Sequence, residues 1–280
     1  VNRPAPWPLT SLRLLVLVAG ALVMVTPFLY LLSISFTEQS YVLTMPPQII
    51  PDPPTLANYA KALTVQDVPR YFANSLYVAC VSTLVALLLS SMMAYAFARF
   101  RFPGRELFFR VLLVGLMIPA VMLLIPQFIL TKYLGLLDSH LGLIVFYVAG
   151  SLAINTFLLR GFFESIPGEL DEAMQVDGAN AWTRYWRLAI PLARPGLATA
   201  TIFTFFAAWD EFAWALTILN SPELRTLPIA IRLFAGSGNN AVQWGLVFAA
   251  SAIAVVPVII VFLIFQRHFV QGLTAGAVKG

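Results

Sequence analysis

For twenty-eight residues, from Tyr71 to Ala98, the chain carries no charged side chain. A stretch of that length has few homes. The hydrocarbon core of a bilayer takes roughly 20 apolar residues in helical form, and a core helix of a soluble domain does not need that many. Five further windows behave the same way. Leu14–Phe36 follows Arg13, and Val111–Thr131 is broken only by Pro119 and Pro126. Leu141–Leu159 is at the short end of what spans, and Pro195–Leu219 holds Asp210 and Glu211. Leu233–Gln266 is longer than one span needs; its polar start, Gly236–Gln243, falls outside the hydrocarbon, which leaves a span over Gly245–Phe265. None of the windows alternates as a barrel strand would, so the spans are helices. The expectation is an all-α polytopic membrane protein with six transmembrane helices. The first window is longer than a signal-peptide core and lacks a small-residue cleavage site, so it reads as an uncleaved span. Composition agrees: 11% of residues are charged and the mean hydropathy is +0.84, whereas a soluble domain is about 25% charged.

Basic residues set the direction of threading. With the N-terminus in the cytoplasm, twelve of the seventeen Lys and Arg fall on the cytoplasmic side, leaving Lys61, Arg70, Lys132, Arg225 and Arg232 outside. That bias follows the positive-inside rule and puts both termini in the cytoplasm. It also accounts for the net charge of +4 without a nucleic-acid partner. The chain divides into a cytoplasmic segment 1–13, a six-helix region 14–266 with a long cytoplasmic loop at about 160–194, and a tail 267–280. Pro27, Pro119, Pro126 and Pro257 lie inside spans, where each removes a ladder hydrogen bond and kinks the helix or marks a hinge.

Little of the sequence suits catalysis. Cys80 is the one cysteine, inside an apolar run, and reads as packing. His140 and His268 stand far apart, each beside an apolar run, and no Cys/His cluster has metal-ligand spacing. There is no GxxxxGK[ST] phosphate loop and no G-x-S-x-G elbow. The chain is therefore read as a non-enzyme with no cofactor of its own, and energy for any active transport comes from another subunit or an ion gradient.

The most patterned segment is Glu164–Gly196, too polar to span. Ser165 can cap a helix whose first turn takes Pro167, and Glu169, Asp171 and Glu172 fall in the early turns, which the helix dipole favours. Leu170, Ala173 and Met174 form an apolar stripe with Asp177 along the same side, and Gly178 can end the helix in a left-handed conformation. A second short helix through Trp182, Tyr185 and Trp186 fits an interfacial belt, with Arg184 and Arg187 facing phosphate headgroups or acidic partners. Pattern alone leaves two readings open: a docking element for a cytoplasmic partner, or a surface helix that only closes the bundle.

This loop resembles the EAA motif of ATP-binding-cassette import permeases, with Glu172, Ala173, Asp177, Gly178, Ala179, Ile190, Pro191 and Leu192 in the motif's positions and Met174 where a second alanine is usual. The likeness covers most of the chain. It is closest to binding-protein-dependent sugar-import permeases, and among them to the G-type subunit of maltose-like systems. Ala94–Arg105 (AYAFARFRFPGR), Tyr133–Ile144 (YLGLLDSHLGLI), Arg225–Ile231 (RTLPIAI) and the ending Phe265–Gly280 resemble that group. So does WDEFAWAL, Trp209–Leu216, with Asp210 in place of the usual Asn.

The resemblance implies the type I importer permease fold in a bacterial or archaeal cytoplasmic membrane. It implies a second homologous permease, a homodimeric ATPase that holds ATP and magnesium, and a periplasmic or lipid-anchored solute-binding protein that delivers a sugar. Coupling to the ATPase then falls on Glu172, Ala173, Met174, Asp177, Gly178 and Ala179. The tail contact falls on Gly272, Gly276, Lys279 and Gly280, and the binding-protein contact on Gly236, Ser237, Gly238, Asn239 and Asn240. Resemblance favours a maltose- or trehalose-like glucan, although glycerol phosphate and other polyols use related permeases.

Asp210 and Glu211 remain open to several readings. Charged groups in a span face the bundle interior or water. They can serve gate or interface structure, pair with Arg225 or Arg232, line the sugar route, or carry protons. Trp209, Phe212 and Trp214 are candidate route residues beside them, since ligand pockets mix apolar walls with a few placed polar groups; packing is the competing reading for each. The alternative function is an ion-coupled secondary transporter using Asp210 or Glu211, although no internal repeat supports it. A membrane enzyme or scaffold would need a clustered polar constellation that the sequence lacks.

Overall fold

The computed structural model describes residues 7–37, 50–236 and 242–277, and the side chains of 11–37, 50–236 and 242–267 among them. In chain order the helices are α1 (Trp7–Ser35), α2 (Ala57–Thr64), α3 (Val68–Arg99), α4 (Arg105–Val114), α5 (Leu124–Tyr133), α6 (His140–Glu164) and α7 (Gly168–Val176). They continue with α8 (Ala181–Arg184), α9 (Ile190–Leu192), α10 (Arg194–Trp209), α11 (Ala213–Ile218), α12 (Leu227–Phe234) and α13 (Trp244–Ala277). A π-helical turn, Tyr185–Ala189, joins α8 to α9. Among the described residues the only extended pairing is one isolated bridge, Thr37 with Pro54.

Four helices are long and apolar enough to cross a bilayer unbroken: α1, α3, α6 and α13. Two more spans arise if each of two bent pairs crosses as one, which makes six. Residues 105–133 bend by 95° and residues 181–209 by 77°. The third apolar window is thus not one helix. Pro119 sits at its break, between two 3₁₀ turns, while Pro126 lies in the first turn of α5, where its missing N–H has no intrahelical acceptor to lose. Pro126 therefore does not kink the chain as expected. The last helix also runs further than the sequence window, its backbone continuing through Ala277. α2 and α12 lie outside the windows read as spans.

Two compact units form, residues 1–69 with 230–256 and residues 70–229 with 257–280. In the first, Asn58 on α2 donates to Ser35 O at 3.0 Å and Thr37 O at 2.9 Å, which satisfies carbonyls at the end of α1. Gly245 lets α13 approach the Asn58 side chain, against which a Cβ would collide. α1 itself buries none of its most apolar window within this chain.

The second unit packs through small residues. In lipid, helices associate by close van der Waals contact rather than by hiding apolar surface from water. Ala86 and Ala94 on α3, Ala153 on α6, and Ala198 and Ala200 on α10 are all buried. Gly196 touches Phe162 so closely that a Cβ would overlap the ring. One apolar cluster joins α3, α6, α11 and Ile229; another joins Ala94 and Tyr95 to Leu159, Phe163, Ile166 and Tyr185. Cys80 is exposed rather than packed. Arg160 ties α4 to α6 by bonding Glu106 at 3.0 Å and Glu164 at 2.7 Å while lying 4.2 Å over the Phe109 ring.

Asp138 closes the loop between α5 and α6. It adopts a left-handed φ of 51°, which Asp tolerates better than most residues. Its N–H donates to Ile218 O at 3.0 Å, and its carboxylate accepts from the Ser221 hydroxyl and from the Ser221 and Asn220 amides, each at 2.9 Å. These donors, the Ser221 hydroxyl first, hold its pKa below the usual carboxylate range. A depressed folded pKa contributes stability that is present above the unfolded value and is lost as pH falls through the folded one. Asp138→Ala is expected to destabilise the chain by about 1–2 kcal/mol. Thermal melting in detergent checks this: the gap between wild type and variant should be full at neutral pH and shrink on acidification below about pH 4.

Candidate functional site

Two places in the second unit gather the residues singled out from sequence: the loop carrying α7, and the break between α10 and α11.

α7 is only nine residues long, so its ends decide whether it forms. Glu169 and Asp171 occupy the first turn, where acids complement the helix dipole. Ser165 does not cap it. That hydroxyl donates back to Phe162 O at 2.8 Å, and the residue before α7 is Pro167. The far end is a full Schellman motif: Gly178 has φ 81°, its N–H bonds Gln175 O at 3.0 Å, and Ala179 N–H bonds Met174 O at 2.9 Å. A Cβ on Gly178 would meet open space, so glycine is required there for backbone conformation and not for room. Asn180 then caps α8, accepting from Thr183 N–H at 2.8 Å.

The helical repeat sorts α7 into two faces. Glu169, Glu172, Ala173 and Val176 are exposed along one side, Val176 at 88%. Asp171 and Met174 are partly buried on the other. Ala173 therefore leaves the apolar stripe expected for it, and Met174 turns inward. Asp177 and Gly178 are exposed beyond the last turn, and Ala179 is half-buried. Val176, an exposed apolar residue between Glu172 and Asp177, was not singled out; its place one turn after Glu172 is the signal that would have found it.

The second short helix differs from the sequence reading in two respects. Arg184 pairs with Asp171 at 2.8 Å, both side chains less than a fifth exposed, rather than reaching for an external anion. Tyr185 is 2% exposed and its hydroxyl meets that of Ser91 at 2.7 Å, so it is core and not interfacial belt. Trp182, Trp186 and Arg187 are exposed as expected.

The fifth span is broken at the acids. α10 ends at Trp209 and α11 begins at Ala213. Glu211 supplies what the new helix start lacks: its carboxylate accepts from Trp214 N–H at 2.7 Å and Ala215 N–H at 3.0 Å, and from the Tyr147 hydroxyl at 2.6 Å. An acceptor for orphan N–H groups at a helix start is a cap. Among the described ion pairs, neither Asp210 nor Glu211 has Arg225 or Arg232 as a partner. Asp210, next in sequence, is exposed. Trp209 is buried, stacked on Phe205 and edge-on to Phe72; Trp214 is buried against Phe146, and Phe212 packs on the same cluster. Trp209, Phe212 and Trp214, weighed as route residues against packing, make these packing contacts within the chain, and the acid beside them organises backbone.

The remaining candidates are less fully described. Gly236 has φ 81°, while Ser237, Gly238, Asn239 and Asn240 lie outside the described residues. Gly272 and Gly276 fall in the backbone of α13, and Lys279 and Gly280 lie outside the described residues. Among the described residues no group of three His, Cys, Asp or Glu is placed to hold a metal ion.

Comparison with known proteins covers both places. Residues 86–275 match the family described as binding-protein-dependent transport system inner membrane component. The chain is 39% identical over 254 residues to the sulfoquinovosyl glycerol transport system permease protein SmoH of Agrobacterium fabrum, covering 91% of this chain and 88% of that one. It is 35% identical over 276 residues to the trehalose/maltose transport system permease protein MalG of Thermococcus litoralis, covering 96% and 98%. Its fold matches a chain of a bacterial ABC transporter involved in the import of the acidic polysaccharide alginate, with TM-score 0.81, 26% identity, and 96% and 99% of the two chains covered.

Removing the cap tests the reading of Glu211. Glu211→Ala leaves two amides and the Tyr147 hydroxyl without their acceptor and is expected to cost about 2–4 kcal/mol, whereas Glu211→Gln keeps one acceptor oxygen and should cost about half as much. Thermal melting of the two variants in detergent gives the order, and a harmless alanine would remove the capping role.

Proposed function

The chain belongs to the binding-protein-dependent transport system inner membrane component family, whose members are non-catalytic permease subunits, and from that premise we propose that it forms half of the translocation pathway of an ATP-driven sugar importer. Its partners are a second homologous permease, a homodimeric cytoplasmic ATPase that holds ATP and magnesium, and a solute-binding protein, periplasmic or lipid-anchored. The membrane is the cytoplasmic membrane of a bacterium or archaeon, with both termini inside. The relatives named above serve sulfoquinovosyl glycerol and trehalose or maltose, and the chain structurally alike to this one serves alginate. A glycoside or oligosaccharide is the substrate class they share.

The observation that carries the reading is α7: a short, well-capped helix with Glu172, Ala173 and Val176 exposed on one face. Such a helix is a docking element for a rigid groove, and the ATPase is the partner that supplies one. Met174 supports it from the partly buried side, and Asp177, Gly178 and Ala179 fix where it ends. The tail at Gly272, Gly276, Lys279 and Gly280 makes a further ATPase contact, and Gly236 to Asn240 meet the solute-binding protein outside.

The break within residues 105–133 and the interruption that follows α10 fit the transport path. Non-helical backbone at membrane depth is tolerated only where protein covers it or water lines it. The turns around Pro119 expose Met117, Ile118, Val121 and Met122, and the break at Asp210–Phe212 exposes Asp210. Both breaks face the partner permease or the aqueous route as parts of a gate, with Trp209, Phe212 and Trp214 behind them as support.

Affinity capture of this chain from native membranes, with every co-purifying subunit identified by mass, tests the proposal. Wild type is expected to bring down a second permease, an ATPase and a solute-binding protein. Val176→Glu puts a charge on the exposed face, and Gly178→Val forces a branched residue into a left-handed conformation at roughly 1–2 kcal/mol. Each should lower ATPase capture about tenfold, equivalent to about 1.4 kcal/mol of binding, while the second permease stays. Recovery of the wild-type chain alone would overturn the assignment.

A further inference from the structure

The segment that carries α7 and α8 is joined to α3 on both sides, although α3 is separated from it in sequence by α4, α5 and α6. On the entry side, the Arg99 guanidinium at the end of α3 donates to Ile166 O at 2.7 Å, two residues before α7 begins. On the exit side, the Tyr185 hydroxyl meets the Ser91 hydroxyl of α3 at 2.7 Å in a buried bond. Between them the Asp171–Arg184 pair, 2.8 Å long and mostly sheltered, locks α7 to α8 across the four-residue link Asp177–Asn180. The Tyr95 ring of α3 packs against both Tyr185 and Phe163, with centroids 5.3 and 5.8 Å away. The sequence between α7 and α10 also contains the π-helical turn that opens with Tyr185; such turns insert one residue into the repeat and recur at functional positions.

We infer that Arg99, Ser91, Tyr185 and the Asp171–Arg184 pair form a brace that makes α7 and the cytoplasmic end of α3 one rigid body, so that a push on α7 moves α3. The inference rests on the coupling role proposed for α7. Sequence adjacency would send motion from the loop only into α6 and α10. The brace adds a third helix, reached by side chains, where an apolar cluster gathers Tyr95, Phe163 and Tyr185. A mostly sheltered ion pair and a buried hydroxyl pair suit this role. Each is directional, and each loses a desolvated partner if the elements part, so small displacements are resisted more sharply than by apolar contact alone.

The test is a distance measured in the working complex. Nitroxide labels are placed at Gln175 on α7 and Leu84 on α3, both exposed, in a Cys80→Ala background with cysteine-free partners. Electron spin resonance reads the interspin distance in lipid nanodiscs, without nucleotide and after trapping with ATP and vanadate. Wild type is expected to give one narrow distance that is the same in both states. Tyr185→Phe and Arg184→Asp should broaden it and make it differ between states, and the exchanged pair Asp171→Arg with Arg184→Asp should narrow it again. Retention of the ATPase by each variant shows that α7 is intact, and Tyr185→Phe alone carries the test if Arg184→Asp does not fold. A wild-type distance that changes on trapping overturns the brace, as do single variants that keep the wild-type distribution in both states. A wild-type chain that retains no ATPase overturns the coupling reading itself, and the brace with it.

Discussion

Inside a bilayer a backbone N–H or C=O with no partner costs several kcal/mol, and that constraint orders the rest of this structure. The helices follow from it, but so do the places where they stop. At four places where a helix is interrupted or ends, a side chain or a local turn takes over orphan groups. Glu211 accepts the amides that open α11. Asn58 donates to the carbonyls beyond α1, and Ser139 accepts the Gly142 N–H that opens α6 at 3.1 Å. At the break near Pro119, 3₁₀ bonds do the work, with Met122 N–H returning to Pro119 O at 3.0 Å, and proline itself brings no donor to satisfy.

The same constraint explains why two adjacent acids in one span behave differently. Asp210 and Glu211 have similar intrinsic chemistry, yet Glu211 is committed to three hydrogen bonds while Asp210 is exposed. The Glu211 carboxylate is thereby committed to holding two backbone amides and the Tyr147 hydroxyl in place, whereas Asp210 takes no part in those bonds. An acid within an apolar run therefore signals broken backbone at least as strongly as it signals a route.

What the sequence made legible was whatever depends on runs and on single residues with a conformational signature. Long charge-free windows located the four unbroken spans to within a turn or so at most ends, and Gly178 marked the end of α7 because only a left-handed residue can close a Schellman motif cheaply. What stayed hidden depends on pairing across distance. No local rule connects Ser91 with Tyr185 or Asp171 with Arg184, so Tyr185 read as interfacial and Arg184 as facing headgroups or an acidic partner. Proline was legible only in part. Pro119 and Pro126 look alike in sequence, but one ends a helix and the other sits in a first turn, and the difference is set by where the chain has already broken.

The length of α7 links these points to function. Isolated helices below about 12–15 residues are marginal in water even with good sequences, and α7 has nine. It cannot be a stable object on its own account. Acids in its first turn, the Schellman closure and the Asp171–Arg184 pair supply what propagation does not, and two of those features lie on or beyond its partly buried side. A helix so dependent on its surroundings cannot move independently of them without unravelling. The exposed face at Glu172 and Val176 is thus carried by the same contacts that keep α7 folded.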